Sequence, residues 1–156
     1  MDAMIIIRDN KEKVGYWEFD FIQDCQQVSA SLKTGDYTIQ GLEDIVCLER
    51  KRTTGELSIN LGSKWEVFSR ELQRMEPFKY KYILLEFSLD DVLNFPKNSG
   101  IPQSKWQYIK IHPKFILGRI EYIRKTYNIK VVFCGNKQNA EIEAASILQM
   151  VYETEK

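Results

Sequence analysis

The chain has 156 residues, enough for one domain with a sizeable core and too few for two domains of ordinary size. Apolar residues make up 44% and charged residues 28% of the sequence, which excludes bulk disorder. The 22 basic residues are balanced by 22 acidic residues, so the formal net charge is zero. Taken alone, that balance argues against a nucleic-acid partner, because a basic surplus is the usual electrostatic footprint of one. It does not exclude one, since a net charge of zero also results when acidic and basic residues are segregated along the chain.

Cysteine usage and the N-terminus bear on the compartment. The three cysteines form no Cys-x-x-Cys motif and His112 is the sole histidine, so a Cys/His zinc site is not expected. A sparse, odd number of cysteines fits a reducing environment. The apolar run at residues 4–7 is too short for a signal peptide or a membrane span. We therefore expect no membrane association and a cytoplasmic location, or the interior of a host cell if the protein is viral.

The first third of the chain is rich in strand signals. Short apolar or alternating runs end at turn residues such as the Thr34-Gly35-Asp36 segment. The run of Ile45 to Leu48 is continuously apolar, which is typical of a central strand covered on both faces. The patterns predict strands at Met4–Arg8, Trp17–Phe21 (a short strand or an extended turn), Val28–Leu32, Tyr37–Gln40 and Ile45–Glu49.

The remainder of the chain alternates between helical and strand patterns. Apolar side chains at helical spacing predict helices, as in the segment that contains Phe68, Leu72 and Met75. The charged residues of that segment are predicted to face water: Lys64, Glu66, Arg70, Glu71 and Arg74. The predicted helices are Thr53–Leu61, Lys64–Met75, a short helix capped near Ser88 and stopped by Pro96, Pro113–Tyr127 and Lys137–Glu153; the strands are Tyr82–Phe87 and Ile129–Phe133. This order predicts an α/β fold with a central mixed β-sheet flanked by helices, its later crossovers parallel and right-handed.

Two carboxylates and a lysine form the candidate chemical site. Asp36 stands at the start of one predicted strand and Glu49 at the end of the next, so antiparallel pairing brings the two acids side by side. Two carboxylates with water and phosphate oxygens suit Mg²⁺. Lys51 follows Glu49 by two residues and shares its face of the strand. Acid, acid and lysine on one face suit metal-assisted phosphodiester hydrolysis.

Taken alone, an acid two residues before a lysine is more often a pair of solvated charges at a strand end. The neighbouring blocks favour the chemical interpretation. Five sequence blocks occur in this order: IIIRDNKE at 5–12, LKTGDY at 32–37, LERK at 48–51, YILLEF at 82–87 and VVFCGNKQNA at 131–140. In these blocks the chain resembles the ERCC4-type nuclease domain of the XPF and Hef endonucleases, a restriction-endonuclease-like PD-(D/E)XK family, as a stand-alone phage-like member.

The resemblance implies roles for individual residues. Asp36 and Glu49 correspond to metal ligands, and the backbone carbonyl of Arg50 is a candidate third ligand whose side chain supports the site. Lys51 corresponds to the residue that orients or activates the attacking water and stabilises charge on the phosphate. Asp9 and Glu12 match the acids of the family's D-x-R-E block and are candidate additions to the metal shell. The implied cofactor is Mg²⁺ or Mn²⁺.

The chain departs from the family pattern at two positions. Lys11 replaces the arginine of D-x-R-E, which keeps the charge and loses the bidentate fork. Gly55 stands where the family has an aspartate four residues after the lysine, and Glu56 next to it is a candidate substitute. These departures leave two functions open, an active endonuclease and a catalytically silent DNA-binding or scaffolding homologue.

Basic residues near aromatic ones suggest where DNA would lie. Residues 97–114 carry four lysines and no acid, with aromatic residues between them, so the segment is either a DNA-facing loop or a surface connection that docks its aromatic side chains on the core. Basic residues also flank the proposed acids. The candidate DNA-binding residues are Lys11, Arg52, Lys105, Trp106 and Lys110.

The expected protein is a single nuclease domain over residues 1–156, without the helix-hairpin-helix module that XPF-type relatives use for branch recognition. The expected function is metal-dependent DNA endonuclease activity that leaves a 5′-phosphate and a 3′-hydroxyl. Branched or flapped DNA is the candidate substrate class. Substrate choice would then depend on homodimerisation through this domain, on an accessory protein or on its own loops. Neutral net charge predicts weak non-specific affinity for plain duplex.

Overall fold

The computed structural model describes residues 3–156, which form six strands and five α-helices. The strands are β1 (Met4–Asp9), β2 (Cys25–Ala30), β3 (Tyr37–Ile39), β4 (Val46–Lys51), β5 (Tyr80–Leu85) and β6 (Lys130–Phe133). The helices are α1 (Thr54–Leu61), α2 (Trp65–Met75), α3 (Leu89–Leu93), α4 (Pro113–Tyr127) and α5 (Lys137–Glu155), with a 3₁₀ helix at Gln103–Tyr108.

The six strands form one mixed sheet in the order β2-β1-β3-β4-β5-β6. Strand β3 pairs antiparallel with both of its neighbours, β1 and β4. The remaining pairs, β2 with β1, β4 with β5 and β5 with β6, are parallel. The predicted α/β class with a mixed sheet is confirmed, and so are the antiparallel pair β3–β4 and the parallel later strands.

Strand β4 separates two apolar layers, because successive side chains of a strand point to opposite faces. Val46 and Leu48 pack in the layer that contains Ala144 and Leu148 of α5. Cys47 packs in the other layer, which contains side chains of α1, α2 and α4. Continued along the strand, this alternation sends Arg50 toward the α5 layer and sends Glu49 and Lys51 toward α1 and α2.

Helix starts follow from local capping groups. The Thr53 hydroxyl accepts a hydrogen bond from the Glu56 N–H at the start of α1 (3.0 Å). Ser88 and Asp91 form a reciprocal capping box at the start of α3. Asn136 caps α5 by accepting from the Asn139 N–H (2.8 Å). Within residues 3–156, no helix combines the length and the apolar composition that crossing a membrane requires.

Of the two alternatives for Trp17–Phe21, the strand is wrong: residues 17–19 form no regular structure, and the segment ends in a turn at Asp20 and Phe21. Its alternation has another cause, since Trp17 and Phe19 are buried and Trp17 stacks on Tyr37 with ring centroids 4.7 Å apart. The strand predicted at Val28–Leu32 begins earlier, at Cys25, because Cys25 to Ala30 pair with the whole of β1. Tertiary pairing decided both outcomes.

Candidate active site

Asp36 is held against the end of β4 by two hydrogen bonds. Its N–H donates to the Leu48 carbonyl (2.8 Å), and its carboxylate accepts from the backbone N–H of Arg50 (2.8 Å). Gly35 makes this approach possible. It has a φ of +78°, and a Cβ at this position would overlap the Cys47 Sγ. The Gly35-Asp36 pair therefore places the carboxylate beside the Glu49–Lys51 end of β4.

Glu49 and Lys51 lie on one face of β4, as the two-residue spacing requires. The Lys51 Nζ is 3.1 Å from a Glu49 carboxylate oxygen, and the two side chains are 9% and 13% exposed. The ammonium also lies 4.9 Å from the centre of the Phe68 ring. Helix α2 therefore shields this ion pair from solvent on one side.

A cavity of about 240 Å³ opens over these residues. It lies between the ends of β1 and β4, the loop at residues 32–36, and helices α1 and α2. Among the described residues, its charged lining consists of Asp9, Asp36, Glu49 and Glu71 with Lys11, Lys33, Lys51 and Arg74. The cavity is therefore a mixed acidic and basic cleft, suited to a cation bound next to a phosphate.

Burial raises the pKa of both central acids, and the charge of Glu49 adds to the rise at Asp36. The pKa of Asp36 is raised well above its usual value by burial and then by the charge of Glu49, against the hydrogen bond from the Arg50 N–H. The pKa of Glu49 is also raised by burial, and the neighbouring Lys51 offsets part of that rise. A cation between the two carboxylates would relieve both effects.

The donor set fits a hard divalent cation. Asp36 and Glu49 supply two carboxylates, and the other positions of Mg²⁺ or Mn²⁺ are commonly taken by water, substrate phosphate or a backbone carbonyl. Within residues 3–156, no group of three or more His, Cys, Asp or Glu side chains has the geometry of a preassembled metal site. Two carboxylates leave most positions around a cation to water and phosphate, which is the coordination that Mg²⁺ commonly keeps.

The two acids of the N-terminal block separate in space. Asp9 lines the cavity, but its carboxylate accepts from the N–H groups of Leu32 (2.9 Å) and Lys11 (3.2 Å). Glu12 does not line the cavity and accepts instead from the Arg50 guanidinium (3.0 Å) and the Tyr37 hydroxyl (3.0 Å). The structure therefore brings Asp9 to Asp36 and Glu49, and it places Glu12 among the partners of Arg50.

The Arg50 side chain lies on the opposite face of β4 in a buried polar network. Its Nε donates to Glu86 (2.6 Å), and its two terminal nitrogens donate to Glu12 (3.0 Å) and to the Gly15 carbonyl (2.8 Å). The Trp17 indole N–H also donates to Glu86 (2.6 Å). This network fixes the residue whose own N–H holds Asp36.

The predicted DNA-binding residues occupy two separate places. Lys11 lines the cavity, and the exposed Arg52 follows β4 directly. Lys105, Trp106 and Lys110 lie in or just after the 3₁₀ helix, outside the cavity lining. The Trp106 side chain is half-buried and its N–H donates to the Ile101 carbonyl (2.9 Å). The ring is therefore held by a residue of its own loop.

Sequence reasoning placed Glu71 and Arg74 on the solvent face of α2 and overlooked Asn60 and Lys33. All four line the cavity. The only sequence signal for Glu71 is its spacing, since it lies three residues after Phe68 and four before Met75, both buried on the same side of α2. The edge of an apolar helix face is the place where a side chain can reach a cleft.

Comparisons with known proteins identify the fold. No protein-family model and no curated protein sequence matches the chain. XPF from Aeropyrum pernix in complex with DNA superposes with a TM-score of 0.67 and 14% identity, over 97% of this chain and 66% of that one. A second XPF structure from Aeropyrum pernix gives 0.64 and 14%, over 95% and 65%. The chain thus spans slightly less than two thirds of these proteins, and its fold is that of XPF over this part.

Proposed function

We propose that the chain is an ERCC4-type nuclease domain that hydrolyses phosphodiester bonds in DNA with Mg²⁺ or Mn²⁺. The observation that carries the proposal is the meeting of Asp36, Glu49 and Lys51 at one cavity. The shared fold supports it, since one of the similar XPF structures is a complex with DNA. The sequence blocks that resemble this family supply exactly these cavity residues, and this convergence favours a nuclease over other activities on the fold.

Asp36 and Glu49 would hold the cation, with the Arg50 carbonyl as the candidate third protein ligand. A bound Mg²⁺ or Mn²⁺ supplies Lewis-acid stabilisation of the phosphate and lowers the pKa of coordinated water. The chain's own contribution is to hold two buried carboxylates at one cavity, where Lys51 compensates Glu49 only in part and Asp36 accepts a single backbone hydrogen bond. Asp9 would act through the loop, since its carboxylate holds the Leu32 N–H and so positions the segment that leads to Asp36.

Lys51 would act as an ammonium and not as a base. Burial alone would lower its pKa, but the neighbouring carboxylates, Glu49 first, outweigh burial, and the net shift is upward. A lysine that stays protonated can orient a water by donating a hydrogen bond and can stabilise negative charge as it develops on the phosphate. We assign Lys51 these two roles.

DNA would approach over the basic part of the cavity rim. Lys11, Lys33 and Arg74 line it, and Arg52 lies beyond the end of β4. Phosphate contacts of this kind provide affinity without reading sequence. The loop with Lys105, Trp106 and Lys110 is proposed as a second contact for longer DNA. Basic groups for phosphate thus lie beside the acids of the cavity, although the net charge of the chain is zero.

The test is cleavage of plain duplex, flapped and branched DNA by the purified chain with Mg²⁺, with Mn²⁺ and with EDTA. We expect metal-dependent cleavage that Asp36→Asn and Glu49→Gln each abolish. Glu66→Gln is the matched control, because Glu66 is an exposed carboxylate whose only ion pair in the described chain is with Arg70. Cleavage that survives both active-site substitutions would overturn the assignment of these ligands.

A catalytically silent DNA-binding module is the second candidate, and one observation favours it. The position of the family's further acid is Gly55, where a Cβ would overlap the Ser99 carbonyl oxygen unless that loop moved. DNA binding that is unaffected by EDTA, together with no cleavage of any substrate in the panel, would establish this function instead of the first.

Partners and substrate structure are proposed from the resemblance alone. Self-association or an accessory protein would supply the choice among branched substrates, in a cytoplasmic or host-cell setting. Analytical ultracentrifugation of the chain with and without flapped DNA tests the first of these. A homodimer is expected to sediment as one species at micromolar concentration, and a strict monomer under both conditions would leave the accessory protein as the route to specificity.

A further inference from the structure

Helix α1 cannot supply a third acid to the site. The Gly55 N–H donates to the Ser99 carbonyl (3.1 Å), and a Cβ at position 55 would overlap that same oxygen. The neighbouring Glu56 is exposed, and its carboxylate accepts from the Arg52 N–H (2.9 Å). Neither residue contributes to the lining of the cavity. The charge of Glu56 still acts on Glu49 and Lys51, but from outside the cavity lining. A further carboxylate within the lining therefore has to come from another element.

Helix α2 brings such a charge from the other side. Glu71 lines the cavity together with Phe68 and Met75 of the same helix. Within residues 3–156, its carboxylate makes no hydrogen bond and no ion pair, and its negative charge acts on Glu49. Glu71 shares the cavity with basic side chains as well as carboxylates, but none of the basic groups pairs with it in the described chain. A half-buried carboxylate without a direct partner is stabilised by a bound cation or ordered water.

Asn60 of α1 provides an independent sign of a polar ligand in the same cavity. Asn60 is a lining residue, and its side-chain oxygen is shielded from solvent and has no hydrogen-bond partner in the described chain. Buried polar atoms are nearly always satisfied by protein groups or ordered water. An acceptor left over here is a place for an ordered water to donate a hydrogen bond, and a water coordinated to a cation in this cavity would fit it.

We propose that Glu71 and Asn60 form an outer wall of the metal site, in which both accept hydrogen bonds from water molecules coordinated to the cation held by Asp36 and Glu49. Glu71 thereby supplies the additional negative charge that Gly55 cannot. The inference rests on the proposed metal dependence and adds two positioning residues to it. Outer partners of this kind orient bound water and strengthen metal binding.

The experiment measures Mn²⁺ binding to the full chain by isothermal titration calorimetry, without DNA. Glu71→Gln is expected to weaken binding about tenfold, as loss of an outer-shell partner does. Glu71→Lys is expected to weaken it further, and Asn60→Ala to weaken it in the same direction. Glu66→Gln and Glu66→Lys are the matched controls, since they change the same charge on the exposed side of α2. Circular dichroism verifies that each variant is folded.

Cleavage by Glu71→Gln should return toward the wild-type rate as Mn²⁺ is raised, because the defect lies in binding the cation. Equal affinities for the Glu71 and Glu66 variants would overturn the inference and leave the proposed nuclease intact. A wild-type chain that binds no Mn²⁺ would instead refute the proposed function itself. The two failures are therefore distinguishable.

Discussion

The backbone N–H of Arg50 donates a 2.8 Å hydrogen bond to the carboxylate of Asp36, so β4 directly orients an acid that precedes β3. Glu49 and Lys51, on either side of Arg50, point to the same cavity as that acid. The Arg50 side chain is fixed on the other face of the sheet by Glu12 and Glu86. One residue thus links the buried polar network to the candidate metal site.

Removing the charge of Asp36 should stabilise the metal-free protein. Its pKa is raised on folding, so between the unfolded and folded values the native state holds a proton that the unfolded chain has released. Stability therefore falls as pH rises through that window. Asn keeps the hydrogen bond from the Arg50 N–H and carries no charge. In EDTA, Asp36→Asn should melt at a higher temperature than wild type, with a gap that widens from about pH 4 upward.

Thermal denaturation between pH 4 and pH 8 measures this gap. Asp44→Asn, at an exposed position in the turn before β4, is the control and should leave the melting temperature nearly unchanged. A melting temperature for Asp36→Asn below that of wild type at pH 7 would show that the ionised Asp36 carboxylate does not destabilise the metal-free fold.

Lys51→Met should separate chemistry from metal binding. Removing the ammonium should slow cleavage about 10²- to 10³-fold, the usual effect of losing one group that stabilises transition-state charge. Mn²⁺ affinity should stay equal or rise, because a positive charge next to Glu49 has been removed. Single-turnover cleavage and calorimetry measure the two effects, with the exposed Lys125→Met as control. A parallel collapse of metal binding would assign Lys51 a structural role.

Arg50→Met should be the most destabilising of these substitutions. It leaves the carboxylates of Glu12 and Glu86, with side chains 13% and 5% exposed, without their cation. Breaking one partner of a buried ion pair costs about 3–5 kcal/mol. The exposed Arg70–Glu66 pair offers a control, because Arg70→Met should cost less than about 0.5 kcal/mol. Urea unfolding measures both, and equal costs would mean that the network adds nothing to stability.

Two helical glycines provide a matched pair for the Gly55 argument. A Cβ at Gly118 of α4 meets no atom within 4 Å, so Gly118→Ala should stabilise the chain by about 0.5–1 kcal/mol. Gly55→Ala should instead destabilise it by about 1–3 kcal/mol, because the loop at Ser99 must move. Stabilisation by Gly55→Ala would show that this loop yields, and an acid at position 55 would then be compatible with the fold.

Sequence reasoning was sufficient to predict the mixed sheet and the shared face of Glu49 and Lys51 on β4, because period-two burial is a local property of a strand. It failed at Trp17–Phe21, where an equally regular alternation reflects docking on Tyr37 and not strand pairing. It also left Glu71 in solvent, since which helix face borders a cleft depends on how α2 packs on the sheet. Glu12 could not be placed for the same reason, as its partner Arg50 lies 38 positions away in sequence.

The most direct test of the account is the anomalous diffraction of Mn²⁺ in crystals of the chain soaked at a concentration that supports cleavage. We expect a peak bonded to the carboxylates of Asp36 and Glu49, with water on the side of Glu71 and Asn60. The same soak of Asp36→Asn crystals should lose the peak. A chain that cleaves DNA under these conditions without Mn²⁺ density at this pair of acids would contradict the account.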